Sequence, residues 1–300
     1  MLLADFIKTC TRQLEPLYPT AEAHNIVLIL CSEVLGTKNY THIVEPGYKI
    51  QKQKLPQLKK QMDRLCSGEP IQYVIGKTQF CGFEFNVNRS VLIPRPETEI
   101  LVREAVKIAG IIQRQRSPYG SNAKPVRILD LCTGSGCIAW SVALSVPGVE
   151  VTAMDISEEA IAVASSQNFA QALKDSGAKA PEFIKGDVLA TPPEMEPYDL
   201  ILSNPPYIME KERCLLRPNV RDFEPDLALF VPDDNPLVYY RGVAAWSKAL
   251  LATGGTGLAE INDVLGKETE AVFADNGFVE IEIVKDFYDK TRFVFYKKPQ

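Results

Sequence analysis

Histidine is nearly absent from the chain: His24 and His42 are the only two in 300 residues. Both fall in the N-terminal region and are expected to serve the core or the surface rather than catalysis. Cysteine occurs seven times, at 10, 31, 66, 81, 132, 137 and 214, but no two stand as C-x-x-C. The odd number and the missing pairs suit a reducing compartment better than a disulfide framework, and no metal site is expected. No apolar run approaches the ~20 residues that a membrane span needs. The opening MLLADFIKTC has no basic stretch and carries Asp5 early, which argues against a targeting leader and for a cytoplasmic address. Positive charge is also not in excess: Lys and Arg number 33 against 38 Asp and Glu, a formal net charge of -5. That balance works against a large nucleic-acid footprint, which needs clustered cations. The run Lys49, Lys52, Lys54, Lys59 and Lys60 is read as a solvated helix face.

What is present is an ordinary globular composition, 46% apolar and 24% charged, long enough for a catalytic domain and a smaller companion. Residues 1 to about 75 read as helices: Ala23, Ile26, Val27, Leu30 and Val34 recur at helical spacing and Gly36 stands where a helix would stop. In TQFCGFEFNVNRSVLI aromatic and β-branched residues alternate with polar ones on either side of Asn86 to Arg89, the pattern of a two-stranded hairpin. PRPETEILVREAVKIAG then carries Pro96, Glu97 and Glu99 ahead of an apolar helical face, and the loop QRSPYGSNAKP follows it. From Val126 onward buried runs alternate with helical patterns, one of the latter spanning all of EEAIAVASSQNFAQALKDSG. Such alternation predicts a doubly wound α/β sheet. The last two β-like runs are joined by DFYDKT, too short for a crossover helix, so they should pair antiparallel.

DLCTGSGCIA follows the strand VRILDL and opens a helix, so Gly134 and Gly136 would let the backbone turn sharply and approach a ligand at the helix N-terminus. Asp155 closes the next strand 19 residues after Gly136, where a carboxylate can accept both hydroxyls of a ribose. A third strand runs into Gly186-Asp187-Val188, a second carboxylate suited to an adenine amino group or to an ordinary turn. The same loop, Gly134-Ser135-Gly136-Cys137-Ile138-Ala139, also satisfies the G-x-G-x-x-A pattern of dinucleotide dehydrogenases. Asn204-Pro205-Pro206-Tyr207 comes directly after the buried strand YDLILS, in the crevice where α/β enzymes place reacting groups. An amide nitrogen is a poor nucleophile because its lone pair is delocalised into the carbonyl. The Asn204 side-chain oxygen and the Pro205 carbonyl could each accept one N–H of an –NH2 group, and Tyr207 could stack on its plane. Transfer to such a nitrogen from a sulfonium donor, which carries its own leaving group, needs positioning more than a strong base.

At these residues the chain resembles the glutamine N5-methyltransferases that act on peptide-chain release factors. The likeness runs through GEPIQYVIGKTQFCGFEFNVNRSVLIPRPETEILV, DLCTGSGCIA, SNPPYI and VRDFEPDLALF and covers nearly the whole chain. It implies a Rossmann-like class I methyltransferase domain over residues 96–300. The implied sheet has seven strands, mostly parallel with the last antiparallel. A helical substrate-docking domain over 1–78 and a hairpin linker over 79–95 would precede it. The implied cofactor is S-adenosyl-L-methionine, leaving as S-adenosylhomocysteine, held by Cys132, Thr133, Gly134, Ser135, Gly136, Asp155, Asp187, Val188 and Asn204. Asn204, Pro205, Pro206 and Tyr207 would hold the substrate glutamine, in the Gly-Gly-Gln motif of a class 1 release factor. Phe80, Arg95, Pro96, Glu97 and Thr98 would shape the donor pocket and the substrate entrance, and Glu224 would support the site or cap a helix. The role implied is protein methylation in translation termination, with no stable nucleic-acid or membrane partner.

Three positions depart from the family pattern: Cys132 and Asn262 stand where glycine is usual, and Asp234-Asn235-Pro236-Leu237 replaces a glycine-containing turn. Three alternatives stay open. A DNA or RNA amino-methyltransferase would use the same Asn204 to Tyr207 grip on a flipped base. A dehydrogenase would use Tyr207 and Lys211 as a Tyr-x-x-x-Lys pair on a helix. A non-catalytic module would merely bind release factors.

Overall fold

The computed structural model describes residues 1–116 and 124–300, so the middle of the loop expected over 115–125 lies outside the described residues. The chain divides into two compact units, Met1–Lys77 with Leu216–Phe223, and Thr78–Leu215 with Glu224–Gln300.

The first unit is helical. Leu3–Leu14 and Leu55–Cys66 are amphipathic, with Leu3, Phe6, Ile7, Cys10 and Leu14 on one buried stripe and Leu58, Met62 and Leu65 on the other. Thr20–Leu35 buries Ala23, Ile26, Val27, Leu30 and Val34 as its spacing predicted, and ends at Gly36, whose φ of 70° is open to glycine at no steric cost. These faces meet in one core, and each fully buried Leu contributes about 1.5–3 kcal/mol. His24 and His42 both lie in this unit, on Thr20–Leu35 and on the short helix Thr41–Val44. A buried carboxylate ties the end of Leu55–Cys66 to the next turn. Glu69 accepts from Arg64 Nε at 2.7 Å and Nη2 at 2.8 Å, while the same guanidinium donates to the carbonyls of Tyr73 and Val74, which end the short helix Ile71–Ile75.

A hairpin follows, β1 (Lys77–Phe80) and β2 (Phe83–Asn86), which from Thr78 onward belongs to the second unit. Its turn is Cys81-Gly82, with φ of 50° and 78°, rather than the expected Asn86 to Arg89. Two successive positive φ values make the tightest hairpin connection, and cysteine in that role leaves no compositional signal. The large sheet contains β3 (Arg127–Leu131), β4 (Glu150–Asp155), β5 (Glu182–Lys185), β6 (Tyr198–Ser203), β9 (Leu251–Glu260), β10 (Val279–Lys285) and β11 (Thr291–Lys297), in the order β10-β11-β9-β6-β3-β4-β5. β7 (Ile208–Met209) and β8 (Phe230–Val231) form a small parallel pair of their own. β11 runs antiparallel to both of its neighbours and the other pairings are parallel. The antiparallel final hairpin is as the short DFYDKT link required.

Alternate residues of the central strands enter two cores. Ile128, Leu200, Leu202 and Phe293 join one, and Leu129, Leu131, Ile201 and Val294 the other. The sheet is therefore covered on both faces, which its near-continuous apolar runs demand. Helix Cys137–Ser145 is apolar all round and buries every residue from Cys137 to Leu144, as a helix enclosed between layers must.

The single helix expected over 158–177 is instead two, Glu158–Ser165 and Ala170–Ser176. The break is held by Gln167, whose side chain accepts from Asn86 N at 2.8 Å and donates to the carbonyls of Asn86 at 2.9 Å and Ser135 at 3.1 Å. Phe169 then inserts among Phe83, Phe85 and Trp140. Tertiary bonding here outweighs helix propensity, a weak prior of under ~1 kcal/mol per residue.

Glu69→Ala should strip the partner from Arg64 and lower the stability of the first unit by about 2 kcal/mol, below the usual cost of breaking a buried pair because the guanidinium is partly exposed. Urea unfolding followed by a probe in that unit measures it, and an unchanged midpoint would contradict the assignment.

Candidate active site

Parallel register brings the candidate residues to one line. Leu131 pairs with Met154 on one side and Ser203 on the other, and Ser203 pairs with Ala259. The next residue of each strand is therefore Asp155, Cys132, Asn204 or Glu260, side by side along the carboxyl edge of β4, β3, β6 and β9. A cavity of about 280 Å³ opens at this edge, lined by Cys132 to Ser135, Asp155, Asp187, Val188, Asn204 and Pro206, with Arg95 and Thr98 also on its wall. Gly136, Pro205 and Tyr207 do not line it.

The glycine loop is built by its own backbone. Thr133 N donates to Met154 O at 3.0 Å and Gly136 N to Thr133 O at 2.9 Å, which turns the chain into helix Cys137–Ser145. The two glycines are needed for different reasons. Gly134 has φ of 55° with open space where a Cβ would project, whereas a Cβ on Gly136, at φ of 77°, would meet Ala164 at 3.0 Å, Trp140 at 3.1 Å and Phe183 at 3.2 Å. Cys132 also has positive φ, 62°, which explains why glycine suits this position and leaves cysteine in a conformation costing on the order of 1 kcal/mol. Its thiol is held protonated by burial and by the carboxylates of Asp155 and Asp130, so it is a packing group.

Asp155 Oδ2 accepts from Gly134 N at 2.8 Å and Oδ1 from Ser157 N at 3.0 Å. Ser157, not Asp155, caps helix Glu158–Ser165, so the carboxylate is left to brace the glycine loop, with lone pairs remaining for hydroxyl donors. Asp187 Oδ1 accepts from Leu189 N at 2.8 Å. With Met154, Ile156, Val188, Leu189 and Tyr239 lining the same cavity as these two carboxylates, the residues fit a nucleoside: acceptors for ribose hydroxyls and an exocyclic amine, and apolar surface for a base.

Beside it stands a chain of buried hydrogen bonds. Asn204 Nδ2 donates to Thr98 Oγ1 at 3.3 Å, Thr98 Oγ1 donates to Glu260 Oε2 at 2.6 Å, and Tyr207 OH donates to Glu260 Oε1 at 2.8 Å. Glu260 and Thr98 are 1% and 2% exposed. Burial pushes the Glu260 carboxyl up, opposed by the two hydroxyl donors and by Arg292. Tyr207 is therefore occupied as a donor to Glu260, and its neighbours Ile208–Met209 and Glu210–Leu215 form a strand and a 3₁₀ turn. The α-helix that a Tyr207 and Lys211 catalytic pair requires is not formed there.

The surrounding loops are tied by residues the sequence marked as departures or helpers. Glu224, 4% exposed, accepts from Ile93 N at 3.1 Å and Arg95 Nη2 at 2.7 Å, joining two walls of the cavity rather than capping a helix. Asn262 donates from Nδ2 to Tyr207 O at 3.0 Å and Glu212 Oε2 at 3.1 Å, a tether on the loop after Pro206 that glycine could not supply. Asn235, in the other departure, accepts from Arg241 Nη1 at 2.5 Å. Two buried acids escaped the sequence reading: Asp130, within the apolar strand RILDL, and Glu260, closing LAE. An acid inside or at the end of an apolar run was the signal available, since a fully buried charge requires partners. Asp130 accepts from Thr133 Oγ1 at 2.6 Å under the glycine loop, and burial pushes it up to about 7.

Known proteins match the chain along its length. A family model described as methyltransferase small domain matches residues 121–216, and one described as PrmC N-terminal domain matches residues 5–76. A release factor glutamine methyltransferase of Bacteroides thetaiotaomicron is 36% identical over 94% of this chain and 95% of that protein. One of Flavobacterium psychrophilum is 33% identical over 98% of each. Among solved structures, a methyltransferase from Pyrococcus furiosus is 13% identical, with a TM-score of 0.48 over 81% of this chain and all of that one.

Gly134→Ala should cost about 1–2 kcal/mol, the strain of a positive φ alone, while Gly136→Ala should cost about 1–3 kcal/mol more, because only the second also overpacks a core. Comparable melting temperatures for the two variants would contradict this. The raised pKa of Asp130 acts with the opposite sign from that of a salt-bridged acid: its contribution to stability is complete below about pH 4 and is lost as pH rises through about 7. Asp130→Asn should therefore gain on wild type in thermal unfolding as pH rises from about 4 to 7. A difference independent of pH would refute the shift.

Proposed function

The chain belongs to the release factor glutamine methyltransferases, and we propose that it carries out that family's transfer with S-adenosylmethionine as donor and a class 1 peptide-chain release factor as substrate. The methyl group goes to N5 of the glutamine in the Gly-Gly-Gln loop. One observation carries the reading. Asn204 stands one position from Cys132 along the sheet edge, on the wall of the nucleoside-shaped cavity, with its Nδ2 turned to Thr98. Its Oδ1 is thereby the atom available to an incoming –NH2 group.

S-adenosylmethionine, when bound, supplies a methyl group already activated by a sulfonium leaving group. The residues of this chain do the holding. Asp155 would accept from ribose hydroxyls and Asp187 from an adenine amine, with the amides of the glycine loop at the helix N-terminus. Asn204 Oδ1 and the Pro205 carbonyl take the two N–H groups of the glutamine amide, which turns the nitrogen lone pair toward the donor. The proton leaves to water after transfer, so no strong base is needed, in keeping with two histidines that both lie in the helical unit. Tyr207 acts from behind the site through Glu260. The helical unit, Met1–Lys77, is the surface on which the release factor docks, and the enzyme works in the cytoplasm. Methyl transfer to a nucleic-acid amine is not favoured: the curated relatives are protein methyltransferases by name, and the net charge is -5.

Transfer of labelled methyl to purified release factor, with a Gln→Ala variant of its Gly-Gly-Gln loop and an oligonucleotide as controls, tests the reading. Label is expected on the wild-type factor alone. Asn204→Ala should cut turnover by about 100-fold or more, the scale of losing one aligned polar contact to the reacting group, while donor affinity changes only a few-fold. Label on the oligonucleotide, or full turnover by Asn204→Ala, would overturn it.

A further inference from the structure

The hydrogen-bond chain behind Asn204 has a fixed direction, and the direction is set by Glu260. Thr98 Oγ1 has one proton, and it points at Glu260 Oε2, 2.6 Å away. Toward Asn204 that hydroxyl can then only accept, so it must face Nδ2, as it does at 3.3 Å. An amide's oxygen and nitrogen are told apart by what they bond, and this contact leaves Oδ1 turned the other way. No hydrogen bond to Asn204 Oδ1 is made among the described residues.

We propose that Glu260 is the positioning residue of the site: by taking the hydroxyl protons of both Thr98 and Tyr207 it locks the Asn204 amide with its oxygen toward the substrate nitrogen. The proposal rests on the reading that an amide –NH2 is the methyl acceptor. An oxygen presented there accepts an N–H, whereas the reversed amide would present donors to a group that also donates. The arrangement needs Glu260 ionised. A protonated Glu260 could donate to Thr98, free that hydroxyl's proton for Asn204, and reverse the chain.

Several groups surround the carboxylate. Arg292, one residue before Phe293, which pairs with Glu260 across β11 and β9, favours the charge. Asp286 in turn holds the Arg292 guanidinium at 3.3 Å. Glu97, in the segment before helix Thr98–Arg116, opposes the charge, and Tyr207 supports it through its hydrogen bond. Tyr240 accepts from Asn262 N at 2.8 Å, just beyond Glu260 in the chain. Asn262 also tethers the Tyr207 carbonyl, so the loop bearing Asn204 to Tyr207 is fixed to the end of β9 at two points, through Glu260 and through Asn262. Glu260 touches neither donor nor glutamine in this scheme and acts only through Thr98, Tyr207 and Asn204.

The experiment is steady-state methyl transfer to release factor with Glu260→Gln, Thr98→Val, Thr98→Ser and the Glu260→Gln/Thr98→Val double variant, alongside calorimetric donor binding. Glu260→Gln and Thr98→Val should each lower kcat by about tenfold or more with donor affinity within about threefold of wild type. Thr98→Ser, which keeps the hydroxyl, should recover most of the loss. The double variant should be no worse than the poorer single one, because the two act through a single chain. Wild-type kcat in Glu260→Gln or in Thr98→Val, a failure of Thr98→Ser to recover, or losses that multiply in the double variant would each overturn the role of Glu260 while leaving the reaction standing. Absence of any transfer by the wild-type enzyme would overturn the amide reading and this proposal with it.

Discussion

The parallel pairing of β3 with β4 and β6, continued to β9, is the constraint on which the site depends. Parallel strands in register end level, so four segments far apart in sequence deliver Asp155, Cys132, Asn204 and Glu260 as neighbours along one edge. Each then does what its place in the row allows. The loop after β3 turns through Gly134 and Gly136, and the carboxylate after β4 braces that loop at Gly134 N. The prolines after β6 stiffen the loop that carries Asn204, and the carboxylate at the end of β9 receives Thr98 and Tyr207. A shift of one residue in any pairing would turn the side chain at that edge to the other face of the sheet.

Asp130, Asp155, Glu224 and Glu260 all sit at or beneath the cavity, yet each accepts hydrogen bonds from protein groups. Burial raises Asp130, Asp155 and Glu260. Among the described residues the Asn204 side chain is hydrogen-bonded to Thr98 and to none of these acids. This fits a transfer in which the donor supplies the leaving group, and the protein's work is to hold two partners at the right angle. Buried acids in such a site act as fixed acceptors that orient other groups.

The departures from the family pattern have local answers. Cys132 occupies a left-handed backbone position that glycine fills without strain, and its thiol packs as an apolar group. Asn262 has no positive φ among the described backbone outliers, so its side chain is not a burden on the turn. It adds a tether to the loop of Asn204 to Tyr207, which is proposed to grip the substrate.

Much was legible from the residues alone. Helical spacing from Ala23 to Val34, the strand, glycine loop and helix around Gly134, the carboxylate closing β4, the proline loop after β6 and the antiparallel final hairpin are all local patterns, dictated by burial period and by turn chemistry. What only the tertiary structure decided is non-local. The hairpin turns at Cys81-Gly82 because the flanking strands impose positive φ there. The helix after β4 breaks at Gln167 because distant backbone groups of Asn86 and Ser135 need its amide. Residues 216–223, though flanked in sequence by the methyltransferase unit, belong to the helical one. Glu260 becomes part of the site only because β9 lies beside β6, a strand order that periodicity does not encode. Local sequence fixes what each segment can be, whereas the pairing of segments depends on surfaces that exist only once the chain has folded.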